Sequence, residues 1–235
     1  MDALARLAAN PPAAALLLDV DGVLAPIVDD PGRARVPDTV RAELRRLAGD
    51  YGLVACVTGR PSADARRIVG VPELRYVGEH GLELEPDAAR FAEEIHRLAD
   101  ESSWPDVEQK PYSAALHYRT APDPGEARRR LETVAETARE RGLTARFGRM
   151  VLELLPPVVA TKGTAVRHLL AESGLARALY AGDDTTDLDA FAALDGLELA
   201  VRVAVASPES PPELRARADV VVGSPAELAL LLERL

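Results

Sequence analysis

Short apolar stretches of strand length alternate with helical patterns at both ends of the chain. In the first part, residues 13–20, 53–58 and 75–78 have the apolar character of buried strands. Helical patterns lie between them, at residues 37–48 and in a segment that opens at Pro61, a residue favoured in the first turn of a helix. Strands that alternate with helices predict a parallel sheet with helices packed on its faces.

The same alternation returns after residue 160. The expected helices cover residues 162–171, 187–194 and 225–235. The expected strands cover residues 178–181, 199–205 and 218–222. The two ends of the chain therefore predict two halves of one parallel sheet.

The middle of the chain has a different pattern. A helix at 87–100 ends at the break Trp104-Pro105, and a strand, a long helix and two strands follow at 113–119, 126–141, 143–147 and 151–155. The simplest interpretation is a β-α-β-β insert between the two halves of the core. We therefore predict an α/β protein with a Rossmann-like core, residues 1–84 and 158–235, and a smaller α+β insert, residues 85–157.

Composition argues against several classes of protein. With 28 basic and 38 acidic residues the net charge is −10, which argues against a nucleic-acid-binding surface. Cys56 is the single cysteine, which excludes internal disulfides and cysteine-rich metal sites and fits a reducing cytoplasm. No apolar stretch approaches the roughly 18 to 20 residues of a membrane span. The first apolar run lacks a basic leader, so we expect no signal peptide and a cytoplasmic location.

The apolar stretch at 13–20 leads into the most informative motif of the chain, Asp19-Val20-Asp21-Gly22. In open α/β sheets, ligands bind beyond the carboxyl ends of the strands, so both carboxylates would point into that crevice. Neighbouring acids repel each other unless a positive charge lies near, and a hard divalent cation, typically Mg²⁺, would supply it. The alternative is an Asx turn that caps the strand.

A second acidic group follows the expected strand at 178–181. It contains Asp183, Asp184 and Asp187, whose charges would again require a shared cation. Asp187 is also well placed as an acid at the start of the next helix, so part of its role would be structural. Acidic groups at two strand ends together predict a metal site.

Two smaller features accompany these acids. Thr58-Gly59-Arg60 ends the second expected strand, where a hydroxyl and backbone N–H groups could bind an anion. Lys162 opens a helix, where its ammonium would add to the helix dipole at an anion site. Only Lys110 and Lys162 are lysines and the other 26 of the 28 basic residues are arginines, which indicates a need for a compact ammonium at these positions. Taken alone, each of these two features is more often an ordinary loop residue than a ligand.

Four motifs in this order resemble those of the haloacid dehalogenase superfamily: a DxD pair, a Ser or Thr, a Lys, and a GDDxxD cluster. In this chain they are Asp19 and Asp21, Thr58, Lys162, and Asp183, Asp184 and Asp187. The resemblance implies a phosphatase with Asp19 as a nucleophile that forms an aspartyl-phosphate and Asp21 as the general acid and base. Thr58 and Lys162 would complete the catalytic set. The implied ligands of Mg²⁺ are Asp19, Asp21, Asp183, Asp184 and Asp187.

Longer stretches resemble the trehalose-6-phosphate phosphatases. These stretches are DVDGVLAPI (19–27), VTGR (57–60), GEHG (78–81), VEQKPYSAALHYR (107–119) and GDDTTDLDAF (182–191). The implied substrate is trehalose 6-phosphate, with the insert acting as a cap that recognises the sugar. Glu108, Lys110, Arg119 and Glu153 would bind the distal glucose, and His80 is a further candidate for substrate binding. We expect Glu108, Lys110 and Arg119 on or beside one extended segment.

The chain departs from the pattern of that family at three positions. Val23 stands where Thr is usual, Thr58 where Ser is usual, and Asp189 near a common Glu. Thr58 keeps the hydroxyl group, whereas Val23 removes one. The alternatives are a phosphatase for another sugar phosphate or pseudo-disaccharide phosphate, a phosphomutase, and a sugar-phosphate sensor that keeps the fold without turnover. The sequence does not predict the oligomeric state.

Overall fold

A computed structural model describes residues 3–28, 30–148, 150–208 and 210–235. The chain divides into two compact units, Met1–Gly81 with Ala160–Leu235, and Leu82–Val159. We call the first the core unit and the second the cap unit. The ranges expected from the sequence, 1–84 with 158–235 and 85–157, differ from these units by a few residues at each junction.

The helices and strands of the described residues are numbered in chain order. The helices are α1 (Ala3–Ala8), α2 (Asp38–Asp50), α3 (Ser62–Val69), α4 (Ala92–Glu101), α5 (Pro124–Glu140), α6 (Lys162–Ser173), α7 (Asp187–Ala193), α8 (Pro212–Arg217) and α9 (Pro225–Leu232). The strands are β1 (Ala15–Leu18), β2 (Leu53–Val57), β3 (Arg75–Val77), β4 (Val107–Gln109), β5 (Ala114–His117), β6 (Thr144–Gly148), β7 (Val151–Leu155), β8 (Arg177–Gly182), β9 (Leu199–Val205) and β10 (Val220–Val222). Every helix among these is too short or too polar to cross a bilayer.

The core unit contains a parallel sheet whose strands, in the described part of the chain, run in the order β10-β9-β8-β1-β2-β3. β1 lies near the middle, with Leu18 beside Cys56 of β2 and Ala181 of β8. All four residues of β1 are buried, as expected for a parallel strand inside an α/β sheet. The predicted core fold is confirmed. Because β8, β1 and β2 are neighbours and run in one direction, the residues that follow them meet at one edge of the sheet.

The cap unit contains an antiparallel sheet with the strand order β4-β5-β7-β6 in the described residues. Ile95 and Leu98 of α4 and Leu131 of α5 share a hydrophobic cluster with Leu116 and Leu152 of this sheet. The opposite face of the sheet carries Glu108, Glu153 and other polar side chains. The predicted smaller α+β unit is therefore confirmed, with one face of its sheet covered by helices.

The predicted β-α-β-β order of the insert was wrong in one respect. Residues 107–119 do not form a single extended segment but a hairpin of β4 and β5, in which Glu108 pairs with Ala115. The Lys110 N–H donates to the Ser113 carbonyl at 2.9 Å, so Pro111 and Tyr112 form a two-residue turn. Pro111 has no N–H to continue a strand and has the backbone geometry of a turn, which is why the chain reverses here.

Candidate active site

Three carboxylates gather at the edge of the core sheet where β1 and β8 end. Asp19 directly follows β1, Asp183 directly follows β8, and Asp187 begins α7. One oxygen of each of the three lies within 4.8 Å of the others. The sequence therefore placed the right acids together, because the two strands that precede them are paired in the sheet.

Lys162 connects two of these acids. Its Nζ donates to Asp19 Oδ2 and to Asp187 Oδ1, both at 2.7 Å. Lys162 is the first residue of α6, which begins with a capping box formed by Thr161 and Thr164. This box fixes the direction in which the helix starts, and the Lys162 side chain is only 3% exposed. The ammonium is thereby held beside Asp19 away from water.

Asp187 accepts four hydrogen bonds and is fully buried. Its Oδ1 accepts from Lys162 Nζ and from the Tyr180 hydroxyl, both at 2.7 Å. Its Oδ2 accepts from the backbone N–H groups of Asp183 and Asp184, both at 2.9 Å. Tyr180 was not among the predicted site residues. The available signal was its position in the strand that leads into the acidic group, but a tyrosine in an apolar strand is an ordinary core residue.

Two glycines allow the carboxylates to come this close. A Cβ atom at residue 22 would lie 2.2 Å from Asp183 Oδ2, and Gly22 has a φ of +73° that favours glycine. A Cβ atom at residue 182 would lie 2.3 Å from Asp187 Cγ. Both glycines are therefore required by the acidic cluster, one by conformation and close approach, the other by close approach.

The charges in the cluster are not balanced within the protein. Burial raises the pKa of Asp19 to about 7, although the Lys162 ammonium opposes this. Burial also raises the pKa of Asp183 to about 8, with the charges of Asp19 and Asp187 adding to it. Burial alone would lower the pKa of Lys162, but Asp187 and Asp19 outweigh it and raise that pKa. The pKa of Asp187 stays below its usual value despite burial, because Lys162 and several hydrogen bonds favour its charged form.

These pKa directions divide the cluster into two parts. Lys162 and Asp187 are a fixed ion pair at neutral pH, whereas burial and neighbouring negative charge favour protonation of Asp19 and Asp183. Hard cations prefer ionised carboxylate oxygens, so a bound cation would supply the positive charge that keeps these two acids deprotonated. The cluster could therefore bind a metal ion.

Asp21 lies near this cluster in sequence but is held by a different partner. Arg60 Nε and Nη2 donate to Asp21 Oδ2 and Oδ1 at 2.6 and 2.7 Å, a two-bond contact that fixes the plane of the carboxylate. Arg60 is a second residue that the sequence did not single out for a role, although it lies in the VTGR stretch. Thr58 is buried at the end of β2, and its Oγ1 accepts from the Arg60 N–H at 3.3 Å.

Asp184 differs from the other acids that were predicted to bind metal. Its side chain accepts from the Thr185 N–H at 2.7 Å, and the residue is exposed. Asp184 and Asp21 do not belong to the group of three acids whose oxygens come together among the described residues. A role for either as a metal ligand stays a prediction.

His80 lies in the core unit, in the GEHG stretch. Its backbone N–H donates to the Thr58 carbonyl at 2.9 Å, and the neighbouring Glu79 N–H donates to the Arg60 carbonyl at 2.9 Å. His80 and Glu79 have φ values of +55° and +48°, which are uncommon for residues other than glycine. This strained turn therefore packs against the loop that carries Thr58 and Arg60.

The face of the cap sheet opposite the helices carries two of the other predicted residues, Glu108 and Glu153. Glu108 lies across from Ala115, Ala115 from Glu153, and Glu153 from Arg146, so these residues form one row across four strands. Arg146 Nε and Nη2 both donate to Glu153 Oε2, at 2.9 and 2.8 Å. Arg146 was not predicted as a site residue.

Two basic side chains lie near Glu108 in the cap unit. Lys110 Nζ lies 3.9 Å from Glu108 Oε1. His117 Nε2 lies 3.3 Å from Glu108 Oε2, and this hydrogen bond raises the pKa of His117. Arg119 lies in an exposed turn beyond β5, which ends at His117. The structure thus brings Glu108, Lys110 and His117 together and leaves Arg119 beyond the strand.

Comparison with known proteins gives consistent matches. A trehalose-phosphate phosphatase of Mycobacterium avium is 39% identical over 207 residues, which cover 77% of this chain and 51% of that protein. The chain spans about half the length of the curated relatives it matches. A solved trehalose-6-phosphate phosphatase of Aspergillus fumigatus is 26% identical with a TM-score of 0.68, over 99% of this chain and 96% of that one. The C-terminal domain of the Candida albicans trehalose-6-phosphate phosphatase, at 23% identity, shares the fold with a TM-score of 0.73 over 98% of this chain and 93% of that one.

The family that the sequence motifs resemble is matched directly as well. The family model for trehalose-phosphatase matches residues 17–218, which contain the acidic cluster, Lys162 and the whole cap unit. This chain belongs to the trehalose-phosphatase family.

Proposed function

We propose that this chain hydrolyses the phosphate ester of trehalose 6-phosphate, with Mg²⁺ as its cofactor. The observation that carries the proposal is Asp19, a buried carboxylate whose Oδ2 is held 2.7 Å from the Lys162 ammonium beside two further acids. A carboxylate at a strand end, next to a fixed positive charge, suits nucleophilic attack on a phosphoryl group. Membership of the trehalose-phosphatase family supports the choice of substrate.

In the proposed reaction, an Asp19 oxygen forms a bond to phosphorus and the ester bond to the sugar oxygen breaks. Asp21 donates a proton to that leaving oxygen, which gives free trehalose and an aspartyl-phosphate. A water molecule then gives its proton to Asp21 and attacks phosphorus, the bond to Asp19 breaks, and inorganic phosphate is released. Lys162 holds Asp19 in place and stabilises negative charge on the phosphoryl oxygens.

In this proposal, Asp19 and Asp183 have a different role from the Lys162–Asp187 ion pair. Asp19 and Asp183 would hold Mg²⁺, which when bound neutralises charge on the cluster and on the phosphoryl group. Arg60 keeps the Asp21 carboxylate in one plane. Thr58 would donate its hydroxyl to a phosphoryl oxygen.

The cap face would recognise the sugar. Carboxylates accept hydrogen bonds from sugar hydroxyls and cations donate to them, so Glu108, Lys110 and Glu153 offer both kinds of contact. Arg146 contacts only Oε2 of Glu153 in the hydrogen bonds described above, which leaves Oε1 to accept from a hydroxyl. Roles for Arg119 and His80 in substrate binding remain predictions. A cytoplasmic location, and no nucleic-acid or membrane partner, also remain predictions from composition.

The test is a panel of phosphate esters measured for phosphate release with and without Mg²⁺. The panel contains trehalose 6-phosphate, glucose 6-phosphate and other disaccharide phosphates. We expect the highest kcat/KM for trehalose 6-phosphate and a loss of turnover when Mg²⁺ is removed. A preference of about a thousandfold for another ester would overturn the assigned substrate, since the cap contacts would then serve a different sugar.

A matched pair of variants tests the nucleophile. Asp19→Asn removes the attacking oxygen charge and is expected to abolish turnover, whereas Asp50→Asn changes an exposed acid at the end of α2 and should retain activity. Equal activity of Asp19→Asn and the unmodified chain would reject covalent catalysis. Binding of trehalose 6-phosphate without release of phosphate by the unmodified chain would favour the sensor instead.

A further inference from the structure

Tyr180 lies in β8, three residues before the acidic cluster, and its hydroxyl reaches into that cluster. The hydroxyl is fully buried with the rest of the side chain and donates to Asp187 Oδ1 at 2.7 Å. The ring packs edge-on against Phe191 of α7, with ring centroids 6.1 Å apart. Tyr180 therefore ties the strand before the cluster to the helix after it through both its ring and its hydroxyl.

We propose that Tyr180 is a positioning residue that acts through Asp187 to hold the Lys162 ammonium against Asp19. Asp187 Oδ1 accepts from Tyr180 and Lys162 at once, so the two donors fix where this oxygen lies. Lys162 in turn donates to Asp19 at 2.7 Å. A chain of three short hydrogen bonds thus leads from the Tyr180 hydroxyl to the proposed nucleophile.

The same contacts assign Asp187 a role other than metal binding. A carboxylate offers about four lone-pair positions, and four donors from the protein occupy Asp187: Lys162, Tyr180 and the N–H groups of Asp183 and Asp184. Asp187 therefore serves as an anchor for Lys162, and the metal ligands are drawn from Asp19 and Asp183. The Tyr180 proposal rests on the proposed function only for its effect on catalysis.

Two other buried tyrosine hydroxyls donate to backbone carbonyls. Tyr76 donates to the Val71 carbonyl at 2.7 Å, and Tyr51 to the Leu235 carbonyl at 3.2 Å. Loss of either hydroxyl would weaken the fold without touching Lys162. Tyr76→Phe is therefore the matched control for Tyr180→Phe, since both changes delete one buried hydroxyl with a 2.7 Å hydrogen bond and keep the ring.

The first experiment observes Lys162 directly, without substrate or metal. Lys110 and Lys162 are the two lysines of the chain, so a ¹⁵N spectrum of lysine ammonium groups has at most two signals to assign. A buried ammonium with two carboxylate partners should give a protected signal. We expect Tyr180→Phe to shift and broaden the Lys162 signal, Asp187→Asn to do the same, and Tyr76→Phe to leave it unchanged. An unchanged Lys162 signal in Tyr180→Phe overturns the proposal. If Tyr180→Phe does not fold, an unchanged Lys162 signal in Asp187→Asn overturns it, because Tyr180 is proposed to act through Asp187.

The second experiment separates catalysis from metal binding. For trehalose 6-phosphate, we expect kcat of Tyr180→Phe to fall about tenfold with KM nearly unchanged, because a displaced ammonium weakens stabilisation of the transition state. Mg²⁺ affinity, measured by calorimetry, should stay within about threefold, since Tyr180 contacts no metal ligand in this scheme. A parallel loss of Mg²⁺ affinity would instead make Asp187 a ligand and refute the anchor. If the unmodified chain hydrolyses no ester, the proposed function fails, and the ammonium spectra still decide the role of Tyr180.

Discussion

Replacing Lys162 by Met tests whether charge, rather than packing, makes this side chain important. Met keeps an unbranched apolar stem of similar length but removes the ammonium. The change leaves Asp19 and Asp187 buried, with side chains 7% and 0% exposed, and without their shared cation. The perturbation is therefore an electrostatic one placed in the centre of the proposed active site.

The expected loss of stability is large. Removal of one partner from a buried ion pair destabilises proteins by about 3 to 5 kcal/mol, and Lys162 serves two buried acids, which places the variant near about 5 kcal/mol. Domains of this kind unfold with about 5 to 15 kcal/mol, so this loss removes about a third or more of the stability and the urea midpoint should fall markedly. Adding Asp187→Asn to Lys162→Met removes one of the two buried carboxylates that have lost their cation. The double variant should therefore recover part of the lost stability.

The pH dependence gives the sign of the effect. Burial already raises the pKa of Asp19 to about 7 and Lys162 opposes that rise, while Lys162 helps hold the pKa of Asp187 below 3.8. Loss of the ammonium is therefore expected to raise both folded-state pKa values. The folded state then binds more protons than the unfolded state above a pH of about 3.8, so the penalty grows as the pH rises and fades as it falls. Urea unfolding of metal-free protein should show a greater loss at pH 8 than at pH 5. An equal loss at both pH values, or a double variant less stable than Lys162→Met alone, would refute the electrostatic account.

Three further changes test other parts of the two units. Gly22→Ala puts a Cβ 2.2 Å from Asp183 Oδ2 and should lower Mg²⁺ affinity about tenfold or more. The control Gly142→Ala has a similar φ of +75° but no atom within 4 Å of the new Cβ, so it should cost only about 1 kcal/mol of stability. Because burial raises the pKa of Asp183 to about 8, binding of Mg²⁺ at pH 7 should release protons, and equal calorimetric heats in buffers of different ionisation enthalpy would contradict this. Arg146→Met frees Glu153 and should raise KM for trehalose 6-phosphate about tenfold but leave p-nitrophenyl phosphate unaffected; equal losses on both esters would point to a general structural effect.

The sequence predicted the acidic edge of the core sheet because the signal there is local. Asp19 and Asp183 each directly follow an apolar strand, and the order of the segments is enough to predict that parallel strands end at one edge. The sequence could not tell the acids apart, since all of them look like metal ligands in a motif. Asp187 is distinguished by four hydrogen bonds from residues whose positions depend on the folded loop.

The sequence did not predict roles for Arg60, Arg146 and Tyr180. Their contacts depend on the folded structure, and each residue type is ordinary in its local sequence. Arg60 contacts Asp21 across 39 positions, a pairing that requires β1 and β2 to be neighbours in the sheet. The cap hairpin was missed for a different reason. The sequence pattern indicated one strand, at 113–119, so the short strand β4 and the two-residue turn at Pro111 that pairs it with β5 were not predicted.

The surroundings of Lys162 give a physical reason for a lysine in a chain that otherwise uses arginine. One nitrogen lies 2.7 Å from Asp19 Oδ2 and from Asp187 Oδ1, in a slot that leaves the side chain 3% exposed. A guanidinium is planar and spreads its charge over three nitrogens, so the same slot would have to widen and displace one carboxylate from its strand end. The ion pair of Lys110 with Glu108 is longer, with Nζ 3.9 Å from Oε1, and the Glu108 side chain is half-exposed. At position 162 the spacing of the two acids favours lysine over arginine, because both side chains carry the same charge and differ in the shape of the charged group.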